Sequence, residues 1–204
     1  MQDIVLFGGT FDPVHHGHLI VARAVAECRG VGRVTLVPSG TPPHKHPARA
    51  SAPQRLEMLR LAAEGEDWLQ ISDVEVSRAG LSYTLETLGT LARAHPDDRL
   101  HWIIGADMLA DLPRWRRAKE VVEAAEILIC VRPPLDQRLE AIFADLEAEF
   151  DGNVVERLRR NVVHTPLIDI SSTDIRRRVA EGRSIRYLVP ESVRKYITDQ
   201  GLYR

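Results

Sequence analysis

A chain of 204 residues with 44% apolar content can bury one good core, and a single domain over residues 1–204 is expected. Its formal net charge of -2 gives no overall attraction to nucleic acid or to an anionic membrane, so any anion site has to be local. The apolar runs fall far short of the roughly 20 residues a spanning helix needs. Cys28 and Cys130 lie in apolar runs and Met1-Gln2-Asp3 opens no signal-like segment, so a reduced, cytoplasmic protein is expected.

Strand-like and helix-like patterns then alternate. Asp3 to Gly8 reads as a strand, its apolar run Ile4-Val5-Leu6-Phe7 feeding a glycine turn, and a helix follows from Gly17 to Cys28. Arg33 to Val37 is a second strand, closed by Pro38. Residues 39–52 hold Gly40, Pro42, Pro43 and Pro47 among His44, Lys45, His46 and Arg49, and read as a mobile basic loop. Leu56, Leu59, Leu61 and Ala62 give an apolar side to a helix from Pro53 to Glu64. Leu69 to Val76 has strand character, and Leu85, Leu88, Leu91 and Ala92 recur at helical spacing across Tyr83 to Ala94. Leu100 to Ile104 is a strand ending at Gly105, with a helix expected after Asp107. Ala118 to Ala125 reads as helix, Ile127 to Val131 as the most apolar strand, and Asp136 to Phe150 as an amphipathic helix. Asn161 to His164 precedes two helices that make up a C-terminal helical part over 171–204.

Apolar strands, each followed by a helix, argue for a parallel sheet covered on both faces: an α/β, doubly wound, Rossmann-like fold. Ligands in such sheets sit beyond the carboxyl ends of the strands, where strand order reverses. Gly8 to His18, the Pro42-Pro43-His44-Lys45 loop and Gly105-Ala106-Asp107 all follow strands.

The run Gly8-Gly9-Thr10-Phe11-Asp12-Pro13-Val14-His15-His16-Gly17-His18 carries the chemistry. Its glycines let backbone amides approach a ligand, and the helix start beyond them presents unpaired N–H groups and a positive dipole end. That combination binds phosphate, and His15 and His18 can donate to the same anion. An i, i+3 histidine pair can also share zinc, but no Cys or carboxylate follows at ligand spacing, so no metal ligand is assigned. Phosphoryl or nucleotidyl transfer is implied. Asp12 before Pro13 reads as a turn former, and His16 as a bystander.

This motif, with Ile170-Ser171-Ser172-Thr173-Asp174-Ile175-Arg176, resembles the bacterial nicotinate mononucleotide adenylyltransferases, from residue 4 to the closing Gly201-Leu202-Tyr203-Arg204. The first motif alone would indicate only the wider nucleotidyltransferase superfamily, which includes phosphopantetheine adenylyltransferases, cytidylyltransferases and class I aminoacyl-tRNA synthetases. Pro42-Pro43-His44-Lys45, Ser82-Tyr83-Thr84, Gly105-Ala106-Asp107 and Leu112-Pro113-Arg114-Trp115 are similar to the segments with which the family surrounds its pyridine nucleotide.

The resemblance implies that His18 holds the α-phosphate under attack and His15 the outer phosphates. It assigns Gly8, Gly9, Thr10, Phe11, Gly105, Asp107, Ser171, Ser172 and Arg176 to ATP as well, and His44, Lys45, Tyr83, Thr84 and Trp115 to nicotinate mononucleotide. Bland readings stand beside these. Ser171 or Ser172 caps a helix in the ordinary way, and Arg177 and Arg178 extend a solvated face. Asp107 is either a ribose acid or a helix cap. Trp115 is either core or a ring partner, where stacking on the charged pyridine ring adds about 0.5–2 kcal/mol. His44 and Lys45 either close over the substrate phosphate or belong to a solvated loop. Amides at the start of the Tyr83 helix suit a carboxylate better than a carboxamide.

The implied reaction is in-line displacement at the α-phosphorus of ATP, with Mg²⁺ riding in on the triphosphate and held mostly by phosphate oxygens and water. ATP and nicotinate mononucleotide are the expected partners, nucleic acid and membrane are not, and a homo-oligomer is compatible with the chain.

Overall fold

The computed structural model describes residues 2–41, 48–131 and 135–204. Six parallel strands form one sheet in the order β3-β2-β1-β4-β5-β6. They are β1 (Asp3–Gly9), β2 (Val34–Pro38), β3 (Leu69–Ile71), β4 (Arg99–Gly105), β5 (Glu126–Val131) and β6 (Val162–His164). Order reverses between β1 and β4, the position at which open parallel sheets bind ligands beyond the strand ends.

Both faces of the sheet are buried because the strands alternate apolar residues in both directions. Leu6, Trp102, Ile104, Ile127 and Ile129 enter one core with α3 (Thr84–Ala94), α4 (Ala106–Leu109), α5 (Ala118–Ala124), α6 (Leu139–Leu146) and α7 (Gly152–Arg160). Val5, Leu36, Ile103, Leu128 and Val163 enter the other with α1 (His16–Arg29), α2 (Ala52–Ala63), α8 (Ser172–Ala180) and α9 (Glu191–Asp199). This is the doubly wound α/β architecture that the sequence implies. No helix among the described residues is long and apolar enough to cross a membrane.

Local chemistry sets the helix ends. Ser51 accepts from the Gln54 amide and Gln54 returns a bond to Ser51 N–H, a reciprocal cap that starts α2 with Pro53 in its first turn. At the other end of α1, Gly30 takes φ +64 and its amide reaches back to Ala26 and Glu27, closing the helix.

Several expected elements differ. β3 ends at Ile71 instead of running to Val76, since the chain turns over 72–77, where Ser77 N–H bonds back to the Asp73 carbonyl. The helix expected after Asp107 is one turn, followed by a 3-10 turn at Leu112–Arg114. The helix expected over Asp136 to Phe150 is α6 alone, preceded by a 3-10 turn at Leu135–Arg138. The sequence reading missed α7, which Asp151 caps by accepting from the Asn153 amide.

Candidate active site

β1 runs through Gly8 and Gly9, which pair with Val37 and Pro38 of β2, so the chain turns only at Thr10. The glycines are demanded by neighbouring rings: a Cβ on Gly8 would lie 2.2 Å from Trp102 Cζ2, and one on Gly9 2.9 Å from Phe11 Cζ. Phe11 itself has φ +50 and a ring that is 2% exposed. That ring meets His18 edge-on at 4.9 Å, and Phe7 stands 6.2 Å from His18.

His15 is the N-cap residue of α1 and is buried, while His18 is half-buried one turn further on. Their rings stack at 3.6 Å with planes 23° apart. The His15 backbone N–H donates to His18 Nδ1 at 3.3 Å, which places the hydrogen of a neutral His18 on Nε2. His18 therefore offers a donor, on a ring oriented by Phe11 and His15, beside the amides of the helix start.

The start of α8 comes to the same turn. Ser172 Oγ donates to the Pro13 carbonyl at 2.9 Å, and Arg176 Nη1 to the Asp12 carbonyl at 2.7 Å. Arg176 Nη2 reaches Thr173 Oγ1 at 3.2 Å. Ser171 is the helix cap, accepting from the Asp174 amide at 3.1 Å. So Ser172 and Arg176, 159 or more residues away in sequence, join the first motif.

The buried Arg55 and the half-buried Tyr203 help hold the turn together and escaped the sequence reading. Arg55 is 1% exposed and donates to the carbonyls of Thr10 (2.7 Å), Ser39 (2.7 Å), Gly40 (3.2 Å) and Ala50 (3.3 Å), tying the exits of β1 and β2 to one guanidinium. Its signal was a charge on the buried stripe that also carries Met58, Leu59 and Ala62. Burial lowers its pKa, while the Asp12 charge raises it. Asp12 accepts from the Arg49 and Ala50 amides and from the Tyr203 hydroxyl. Tyr203, whose phenol burial pushes above its usual range, carried no sequence signal.

A second group stands beyond β4 and at the start of α3. Gly105 is the N-cap residue of α4, so Asp107 lies in the first turn and is not the cap; its exposed carboxylate folds over Gly105, where a Cβ would fall 2.3 Å from Oδ1. Tyr83 is the N-cap residue of α3, with Thr84 opening the helix and the Arg116 guanidinium 4.4 Å over the Tyr83 ring. Arg116 also pairs with Glu86 at 3.3 Å, joining α3 to the segment of the half-buried Trp115, which packs on the core. His44 and Lys45 lie outside the described residues.

Known proteins resemble this chain in sequence and in fold. The cytidylyltransferase-like family profile matches residues 6–178. The chain is 45% identical to the protein named nicotinate-nucleotide adenylyltransferase in Thermomicrobium roseum, over 100% of this chain and 92% of that one. It is 44% identical to the protein of that name in Marinobacter nauticus, over 98% and 95%. The fold is similar to that of Plasmodium falciparum nicotinic acid mononucleotide adenylyltransferase complexed with NaAD, with a TM-score of 0.77 at 18% identity, covering 100% of this chain and 98% of that one. The chain belongs to the cytidylyltransferase-like family and, within it, to the nicotinate-nucleotide adenylyltransferases.

Proposed function

We propose that this protein transfers the adenylyl group of ATP to nicotinate mononucleotide, forming nicotinate adenine dinucleotide and pyrophosphate in NAD biosynthesis. The observation that carries this reading is the meeting of the His15–His18 stack with the start of α8 at the reversal of strand order. Its full-length relatives bear the name of the same activity.

An oxygen of the mononucleotide phosphate attacks the α-phosphorus, the bond from that phosphorus to the bridging oxygen breaks, and pyrophosphate leaves with the electron pair. The attacking phosphate is already largely ionised near neutral pH, so the protein positions two polyanions and offsets their charge. In this reading His18 Nε2–H and the α1 amides hold the α-phosphate, and His15, Ser171, Ser172 and Arg176 the outer phosphates. The strand end at Gly8 and Gly9 and the turn through Thr10 and Phe11 shape that cradle. Asp107 takes ribose hydroxyls beside Gly105. The amides at Tyr83 and Thr84 receive the ring carboxylate, Trp115 stacks on the ring, and His44 and Lys45 close over the substrate phosphate.

Mg²⁺ on the triphosphate would neutralise charge there. Among the described residues no group of three or more His, Cys, Asp or Glu side chains converges as a metal cage, and the Asp12 oxygens are taken up by amides and Tyr203. Such surroundings fit an ion held by phosphate oxygens and water.

The test is pyrophosphate release from ATP, Mg²⁺ and nicotinate mononucleotide. We expect turnover that His18→Ala lowers by about 10²–10³-fold, the worth of one preorganised donor to a developing charge, with melting little changed. Absence of activity in the unmodified protein, or a better rate with phosphopantetheine as acceptor, would end the assignment.

A further inference from the structure

Beneath the first turn of α3 lies a charge that the reaction described above leaves unused. Arg78 has its Nε and Nη1 sealed from solvent with no hydrogen-bond partner among the described residues. Its Nη2 donates to Thr87 Oγ1 at 3.3 Å. Thr87 is fully buried, and its hydroxyl donates in turn to Glu75 Oε1 at 2.8 Å, so the oxygen must offer Arg78 a lone pair. The same oxygen stands 3.4 Å from the Tyr83 carbonyl, at the head of the helix. One hydroxyl thus joins a guanidinium to the turn whose amides open toward the ring pocket.

Stability does not explain this arrangement. Guanidinium N–H groups left unpaired inside a protein cost free energy, and an apolar side chain of similar volume would avoid that cost. Burial raises the Glu75 pKa, and among the described residues no direct ion pair joins Glu75 to Arg78, the Thr87 hydroxyl standing between them. Gly40 closes the space on the β2 side, where a Cβ would fall 2.3 Å from the Glu75 carbonyl oxygen.

We propose that Arg78 is a specificity-determining positioning residue for the mononucleotide: acting through Thr87, it fixes the first turn of α3 and biases that turn toward an anionic ring substituent over a neutral one. The inference rests on α3 as the ring pocket of the proposed function. Helix-start amides by themselves receive any acceptor oxygen, including that of a carboxamide. A fixed positive charge in poorly screened surroundings responds to net charge, and so separates the acid from the amide.

The experiment compares kcat/KM for nicotinate and nicotinamide mononucleotides at saturating ATP in the unmodified protein and in Arg78→Met. The ratio of acid to amide should fall about tenfold, the size of one Coulomb interaction across a poorly screened gap. The change should appear in KM for the acid, with KM for ATP nearly constant. If Arg78→Met does not fold, Arg78→Gln decides: it removes the cation but keeps an N–H donor for Thr87, and the ratio should still fall about tenfold. An unmodified protein that does not turn over nicotinate mononucleotide overturns the proposed function and this inference together. An active one whose folded Arg78 variant keeps its ratio, or loses both mononucleotides and ATP equally, overturns this inference alone.

Discussion

Asp12→Asn tests how the turn after β1, the proposed phosphate cradle, is held. Asp12 is 3% exposed and both its oxygens are acceptors: Oδ2 from the Arg49 amide at 2.7 Å, Oδ1 from the Ala50 amide at 3.1 Å and from Tyr203 at 2.7 Å. An asparagine side chain of the same shape keeps one oxygen and sets an NH2 against a donor whichever way it turns. It also removes the negative charge that offsets the burial of Arg55. One charge-assisted hydrogen bond and an uncompensated buried cation together amount to about 3–5 kcal/mol. At roughly 2–4 °C per kcal/mol for a chain of this size, melting should fall by about 10 °C. Urea titration of Asp12→Asn beside Tyr203→Phe reads the two parts separately, since the second loses one hydrogen bond and should cost about 1 kcal/mol. An Asp12→Asn loss no larger than that of Tyr203→Phe would refute the reasoning.

Gly8→Ala should cost about 1–3 kcal/mol by overpacking against Trp102; a double variant with Trp102→Leu should recover much of it in chemical denaturation, and additive losses would show that the ring is not the obstacle. Glu75 titrates above its unfolded value because of burial. The stability it contributes is therefore fully present below the unfolded pKa and is lost as pH rises through the raised folded pKa. The advantage of the native protein over Glu75→Gln in denaturation should thus be greatest in acid and shrink as pH rises across that window, and a flat difference would contradict it. Trp115→Ala should raise KM for the mononucleotide by about 2–30-fold, the equivalent of its cation–π term, with a smaller effect on KM for ATP; equal effects on both would remove Trp115 from the ring site.

Long-range order was legible where short-range pattern was strong. The continuous apolar runs of β1, β2, β4 and β5 suit strands buried on both faces, and that made the parallel sheet legible. What followed β5 was less legible. Leu139, Ile142, Phe143 and Leu146 keep helical spacing, but nothing in the residues after them marked where α6 stops, and the arginine-rich α7 looks polar because only Val155 and Leu158 are fully buried. In the site, the motif residues were visible as residue types. Their supports were not, since Arg55, Glu75 and Tyr203 act through backbone carbonyls, a buried hydroxyl and a distant Asp12, none of which leaves a local pattern.

These supports change what the first motif means physically. Gly8 and Gly9 make room for Trp102 and Phe11, Phe11 braces His18, and Asp12 secures residues 49–50 and the C-terminal Tyr203. Several motif positions therefore serve the orientation of one imidazole and one helix start, the frame on which the proposed roles of His15 and His18 rest. Rate in such a site depends on donors being in place before charge develops, because reorganising them during the step would cost what they contribute. Substitutions at Gly8, Gly9 or Asp12 should then lower kcat in proportion to the stability they remove, whereas His18 substitutions should lower kcat with stability nearly intact. That contrast separates the frame from the chemistry it holds.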